Sequence, residues 1–227
     1  MKKIFTVLYI LLLLAHVLAG EFMWEEIAFI TKPFLVLSLL VIFLYYQRKY
    51  NSNRFSRFIS LGLFFCLAGD ILLMFQEFGD YFVYGLSAFL IGHIFYVLAF
   101  FRTYLENHEI PLIKQQGWVM VLIVAYGYLF FQQIKDHLGE MIGPVIIYTM
   151  VITLMLLIAA NRYKKVSPES FRYIFFGAML FVASDSILAW NKFVHHIDYS
   201  HALIMTTYGL AQLFITTGAV LQLKDQA

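Results

Sequence analysis

The sequence predicts an all-α integral membrane protein, a bundle of about eight transmembrane helices forming a single domain over residues 1–227. Three observations carry this expectation. Hydrophobic residues make up 62% of the chain and charged residues 13%, whereas a soluble domain carries roughly 25% charged residues. Too few polar side chains remain to cover a water-facing surface. The apolar residues also come in long blocks, as bilayer spans require. Finally, Lys and Arg collect at alternate connections between those blocks, the distribution expected when one set of loops faces the cytoplasm.

The spans follow in order. The first, 4–20, begins behind Lys2 and Lys3, and the second, 27–46, runs up to Arg48 and Lys49. The third, 57–75, starts from Arg54 and Arg57; the fourth, 81–101, runs into Arg102. The fifth, 116–132, follows Lys114 and is short; the sixth, 141–160, ends at Arg162, Lys164 and Lys165. The seventh, 172–190, opens at Arg172, and the eighth, 200–223, ends at Lys224. A helix rises about 1.5 Å per residue, so about 20 residues cross the hydrocarbon. The alternation of a β-barrel is absent, which leaves helices as the spanning element.

Thirteen of the 16 basic residues lie on the side of the termini, only Lys135 and Lys192 lie opposite, and Lys32 lies within a span. This asymmetry predicts cytoplasmic N and C termini and an even number of spans. The short loops suggest a bacterial inner (plasma) membrane. Met1-Lys2-Lys3 with Leu18-Ala19-Gly20 also resembles a cleavable signal peptide; later spans keep their orientation either way, because residue 21 lies outside in both readings.

Several functions are excluded or disfavoured. A net charge of +2 without a dense basic run gives no reason to expect nucleic acid. Cys66 is the sole cysteine, so there is no intrachain disulfide and no cysteine-based metal site. There is no His-Glu-x-x-His and no phosphate-binding Gly-rich loop, and Gly85-Leu86-Ser87-Ala88-Phe89 lacks the second glycine of a nucleophile elbow. Gly85, Ala88 and Gly92 read instead as a close helix-packing face. His195, His196, Asp198 and His201 match no metal-site spacing and read as a solvated loop.

Polar residues inside the spans are the informative ones, since an ionisable group deep in a bilayer costs about 2.5–3.5 kcal/mol even on lenient scales. Asp70, Asp185 and Lys32 each lie about five residues from the outer end of a span, roughly 7–8 Å below the boundary. Asn191 and Lys192 stand at the mouth of the seventh span, His201 opens the eighth with Tyr208 and Gln212 deeper, Tyr148 is in the outer half of the sixth, and His93 is near the middle of the fourth. Their common level predicts one polar pocket opening towards the outer leaflet. Plainer readings exist for each: a snorkelling Lys32, structural partners for the carboxylates, a hydrogen-bonded core histidine at 93, interfacial tyrosines.

Two segments also echo each other. Phe64-Phe65-Cys66-Leu67-Ala68-Gly69-Asp70-Ile71-Leu72-Leu73 parallels Met179-Leu180-Phe181-Val182-Ala183-Ser184-Asp185-Ser186-Ile187-Leu188 half the chain later. His93 follows Asp70 by 23 residues, as Tyr208 follows Asp185. The pattern suggests two four-helix halves in the same orientation, a repeat known in membrane folds. A buried carboxylate pair suits acid/base hydrolysis, in which one acid is protonated and one ionised, and equally a proton-coupled transporter or lipid carrier.

At these residues the chain resembles the YhhN-like lysoplasmalogenase family of multi-pass membrane proteins. The resemblance rests on Lys32-Pro33, on Ala68-Gly69-Asp70-Ile71-Leu72-Leu73-Met74, on the segment Gly85 to Tyr96 containing Gly92-His93, on Gly177 to Ala189 containing Ser184-Asp185-Ser186, on Asn191-Lys192-Phe193, and on Tyr208-Gly209-Leu210-Ala211-Gln212. The loop His195-His196-Ile197-Asp198 has no counterpart in that pattern. The resemblance implies hydrolysis of the vinyl ether bond of lysoplasmalogens to a fatty aldehyde and glycerophosphoethanolamine or glycerophosphocholine. It implies Asp70 and Asp185 as the catalytic pair; the depth and chemistry of Lys32, His93, Tyr148, Asn191, Lys192, Tyr208 and Gln212 then set them near the lysophospholipid substrate. It implies no cofactor and no metal, and membrane lipid as the surrounding partner. It favours the enzyme over the transporter.

Overall fold

The computed structural model describes residues 3–106 and 112–227, with all side chains among them except those of 104–106 and 113; Lys2 lies outside the described residues. The elements are α1 (Lys3–Glu21), α2 (Glu25–Lys49), α3 (Arg54–Leu73), α4 (Tyr81–Glu106), the single turn α5 (Leu112–Gln115), α6 (Gly117–Ile134), α7 (Ile142–Ala160), α8 (Pro168–Phe193) and α9 (Ser200–Asp225), with two 3-10 turns, Lys135–His137 and Gly139–Met141, between α6 and α7. Eight of these helices are long and apolar enough to cross a membrane, and the chain is a multi-pass membrane protein. The short fifth span is accommodated by length added at its end, where α6 reaches Ile134 and passes into the 3-10 turns. Helices α2 and α8 extend beyond the expected 27–46 and 172–190 at both ends, because polar ends such as Glu25–Glu26 and Pro168–Glu169 lie outside a hydropathy window yet still satisfy helical backbone. Lys32-Pro33 accordingly falls inside α2 and does not open it.

Short connections make successive helices antiparallel. At the end of the bundle carrying the termini, α3 starts with a capping box in which Asn53 Oδ1 accepts from Ser56 N–H (2.8 Å) and Ser56 Oγ accepts from Asn53 N–H (3.1 Å). Asn53 Nδ2 also donates to Gln226 beyond α9 (3.0 Å). There the fully buried Arg162 donates through Nη2 to Gln222 (2.6 Å) and Ser170 (3.2 Å) and lies over the rings of Phe55 and Phe100. Gln222 in turn donates to Thr103 (3.1 Å), so one guanidinium ties the α7–α8 turn to α3, α4, α8 and α9.

The most extensive contacts join α3 to α4 and α8 to α9. Apolar attraction cannot drive helix association within lipid, so close backbone approach through small residues does. A Cβ on Gly92 would lie 3.2 Å from the Gly62 carbonyl oxygen and 2.9 Å from Cys66 Sγ, and one on Gly85 would meet Leu73. In the other pair, a Cβ on Gly177 would lie 2.9 Å from Ile215 N and 3.0 Å from Ala211 O, and one on Gly218 would lie 2.9 Å from Ser170 O. Backbone atoms cannot step aside as a side-chain tip can. Gly177→Ala is therefore expected to force α8 from α9 and cost about 1–3 kcal/mol, read as a lowered Tm in detergent. Gly143→Ala, where nothing lies within 4 Å, is the matched control and should leave Tm unchanged.

Helix α9 is the most buried span and α6 the least. α1 joins the core through Tyr9 and Leu13, with Tyr9 O–H donating to Gly209 O (2.9 Å). Asp70 thus stands in the tight α3–α4 pair and Asp185 in the tight α8–α9 pair.

Candidate active site

The end of the bundle opposite the termini holds a cavity of about 390 Å³. Its wall takes Lys32 from α2, Asp70 from α3, Phe89 from α4, Tyr148 from α7, Asp185, Asn191 and Lys192 from α8, and Tyr208 from α9. Two carboxylates from two different helix pairs therefore face one space.

Each carboxylate accepts from a tyrosine. Tyr208 O–H donates to Asp70 Oδ2 (2.7 Å) and Tyr148 O–H to Asp185 Oδ2 (2.6 Å). One turn below Tyr208, Gln212 offers its Nε2 to the Tyr208 oxygen (3.4 Å) and accepts from Tyr96 O–H (2.7 Å), so a polar chain runs from α4 through α9 to Asp70. His93 Nε2 lies 3.9 Å from Asp185 Oδ2, beyond hydrogen-bond range, with its ring edge-on to Tyr148 (5.3 Å) and Phe181 (4.5 Å). Phe181 meets Tyr208 (5.4 Å) as well, and an aromatic layer thereby joins the two carboxylate environments. Gly69 makes room for this layer: a Cβ there would sit 2.5 Å from the Phe89 ring, which packs edge-on to Tyr208 (5.7 Å).

The two environments are built differently from the halves of the sequence. Tyr208, which follows Asp185 by 23 residues, binds Asp70 of the other half. Asp185 accepts from Tyr148 of its own half, and His93, which follows Asp70 by 23, stands 3.9 Å away without a hydrogen bond.

Seven of the nine sequence-predicted site residues line the cavity. His93 and Gln212 do not; both are fully buried behind the wall, where they hold or crowd the residues that do line it. Asn191 divides its polar atoms, since its Oδ1 accepts from Ile197 N–H (2.8 Å) in the α8–α9 connection. The Lys192 ammonium lies 4.7 Å from the Phe82 ring centroid. Lys32 faces the same space as Asp70, so its position within the span is a cavity position. His201, which the sequence set at the level of the pocket, lines it. Sequence reasoning did not place Ser184 or Gln76 in the wall; Gln76, in the α3–α4 connection, carried no signal. Among the described residues no three His, Cys, Asp or Glu side chains gather at metal-binding range.

A second, apolar space adjoins the first. A slot of about 50 Å³ runs between α4, α6, α7 and α8 and shares Phe82, Leu86, Tyr148, Asp185 and Leu188 with the cavity wall. Three of its hydroxyls are engaged: Tyr126 O–H donates to Ser186 Oγ (2.8 Å), Ser186 to Val182 O (2.7 Å) and Thr149 to Val145 O (2.8 Å). Apart from Asp185, Tyr148 and Thr153, the slot thus presents mainly carbon. Asp185 borders both spaces, whereas Asp70 borders the polar cavity alone.

Comparison with known proteins matches the profile of the YhhN family to residues 27–219. The chain is 33% identical to the bovine (Bos taurus) protein named lysoplasmalogenase TMEM86A, over 71% of this chain and 65% of that protein. It is 31% identical to mouse (Mus musculus) lysoplasmalogenase TMEM86B, over 80% of this chain and 70% of the relative. It is 27% identical to the Mycobacterium tuberculosis protein named lysoplasmalogenase, over 73% and 61%. The chain spans just under two thirds, 65%, of the bovine relative's length. No solved structure matches it.

Proposed function

The chain belongs to the YhhN family, and we propose that it is a lysoplasmalogenase-like hydrolase that cleaves the vinyl ether bond of a lysophospholipid. The observation that carries this reading is the placement of two tyrosine-bound carboxylates, Asp70 and Asp185, in one cavity that adjoins an apolar slot. The relatives named lysoplasmalogenase support it.

A vinyl ether is opened by protonating its β-carbon, and the carbon framework suggests which carboxyl does so. The alkenyl chain is apolar and suits the slot; the glycerophospho headgroup suits the polar cavity with Lys32, Asn191 and Lys192. The β-carbon then lies on the slot side, next to Asp185, and the ether oxygen on the cavity side, next to Asp70. Protonated Asp185 donates its proton to the β-carbon, using the C=C electron pair and leaving an oxocarbenium ion. The Asp70 carboxylate stabilises that cation and takes a proton from the water that adds to it, giving a hemiacetal. The hemiacetal hydroxyl returns its proton to Asp185 as the carbon–oxygen bond to glycerol breaks, and Asp70-H protonates the departing oxygen. One water is consumed and both carboxyls are restored. Glycosidases divide two carboxylates over a related cation in the same way.

We place the termini on the cytoplasmic side of a bacterial plasma membrane, a reading supported by the 13 basic residues on the side of the termini. The deciding experiment supplies purified protein with 1-alkenyl and, separately, 1-acyl lysophosphoethanolamine. Fatty aldehyde from the first and no fatty acid from the second is the expected result; acid from the second without aldehyde from the first overturns the assignment. Within the same assay, Tyr148→Phe and Tyr208→Phe each remove one hydrogen bond to a carboxylate, worth about 1.5–3 kcal/mol. Both variants should lower kcat by about 10- to 100-fold with KM little changed.

A further inference from the structure

Helix α6, the least buried span, packs on α7 and touches α8. The slot beside Asp185 reaches Gly127, Thr149 and Thr153 in the seam between α6 and α7. Those same three residues also border a hollow of about 630 Å³ on that seam, with Val124, Tyr128 and Met150 in its wall. Each of these last three is more than half exposed. Cavity, slot and hollow therefore adjoin in sequence, through shared walls, from the carboxylates to the exposed flank of the bundle. The polar character falls along the way: the cavity carries charged groups of α2, α3 and α8, while the hollow carries none.

We propose that this series is the route of the substrate's hydrocarbon chain. The chain of a single-chain lysolipid lies in the slot and leaves the bundle between α6 and α7, its tail among bilayer chains, while the headgroup stays in the cavity. This rests on the lysoplasmalogen reading for the identity of the lipid. Gly127 sits where slot meets hollow. A Cβ there would lie 2.4 Å from Thr153 Oγ1, so the two spaces meet at a Gly127–Thr153 contact that any larger residue would crowd further. Helix packing alone explains a glycine against a threonine. It does not explain an apolar space on both sides of that contact, one side ending at a carboxylate.

The test uses a probe that hydrolysis cannot consume: a saturated 1-alkyl ether lysophosphoethanolamine with a diazirine at the chain terminus, added to the full chain in lipid nanodiscs. After photolysis the labelled residues are mapped. Labelling within 124–132 and 146–157 is expected, reduced at least about tenfold by Gly127→Leu, a change of the size that single groups in an apolar pocket exert. In the hydrolysis assay Gly127→Leu should cost a long-chain alkenyl substrate at least about tenfold more than a short-chain one that ends within the cavity. Labelling confined to other helices, or undiminished by Gly127→Leu, overturns the route. Should Gly127→Leu not be monodisperse, Thr149→Phe blocks the same slot from α7. The two readings fail separately: labelling in the seam without aldehyde release keeps the chain route and removes the hydrolase, whereas aldehyde release with labelling elsewhere keeps the hydrolase and removes the route.

Discussion

Asp185→Asn is expected to lower aldehyde release by about 10²- to 10⁴-fold, the range that a positioned general acid contributes. Asparagine keeps the size of the side chain and an oxygen to accept from Tyr148 O–H, the bond that holds Asp185 at 2.6 Å in the wild type. What it lacks is a transferable proton at the junction of slot and cavity. No neighbour replaces it: Tyr148 already spends its proton on this carboxylate, and His93 stands wholly behind the wall. Binding of the saturated ether lysolipid should survive, which separates lost chemistry from lost structure. In D2O the wild type should release aldehyde carrying one deuterium at its α-carbon, the former β-carbon of the vinyl ether. Retention of activity within about tenfold in Asp185→Asn would remove it from the role of acid.

How far the sequence foretold this arrangement differs between fold and site. The bilayer imposes a length on every span through the helical rise, so the existence of eight spans was legible in runs of apolar residues. Their ends were not, because the helices of 25 and 26 residues continue past the hydrocarbon into polar sequence that hydropathy ignores. The four-residue α5 leaves no periodic trace at all. Asp70, Asp185 and Lys32 were legible for an energetic reason, since each is costly in lipid unless it faces something polar. The difference between lining a cavity and standing behind its wall was not. Tyr208 and Gln212 share one face of α9, four residues apart, and only the helices packed against that face decide that Tyr208 lines the cavity and Gln212 supports it. The apolar slot was invisible for a further reason: residues such as Leu86, Ile152 and Val182 look like any other residues of a membrane helix until four helices leave a gap between them.

The echo between the two halves was readable, but its consequence needed coordinates. A repeat predicts that Asp70 and Asp185 occupy equivalent places; it does not say which half serves each. Tyr208 of the second half binds Asp70 of the first, whereas Asp185 takes its hydrogen bond from Tyr148 of its own half and has the His93 ring of the first half 3.9 Å away. The equivalence is also broken where chemistry requires it. Asp70 shares its cavity wall with Lys32, and Asp185 shares its position with the slot. Two related positions thereby acquire the different surroundings that an acid and a base need.

Asp70→Asn should likewise lose about 10²- to 10⁴-fold in aldehyde release, yet fail at a different step. With Asp185 intact the β-carbon is still protonated, but the oxocarbenium ion lacks both its counter-charge and the base that draws a proton from water. Return to substrate then competes with hydration. In D2O, unreacted lysoplasmalogen recovered from Asp70→Asn should therefore carry deuterium at the vinyl β-carbon, whereas substrate recovered from Asp185→Asn should carry none. The double variant should be no slower than the slower single one, because groups that act as a unit lose their effect together. Deuterium in substrate recovered from Asp185→Asn instead would exchange the two roles, placing the acid on the headgroup side and the cation's carboxylate on the side of the chain. That outcome would require the lipid to lie with its vinyl ether reversed relative to the slot, so isotope and labelling experiments constrain one another through the direction in which the chain runs.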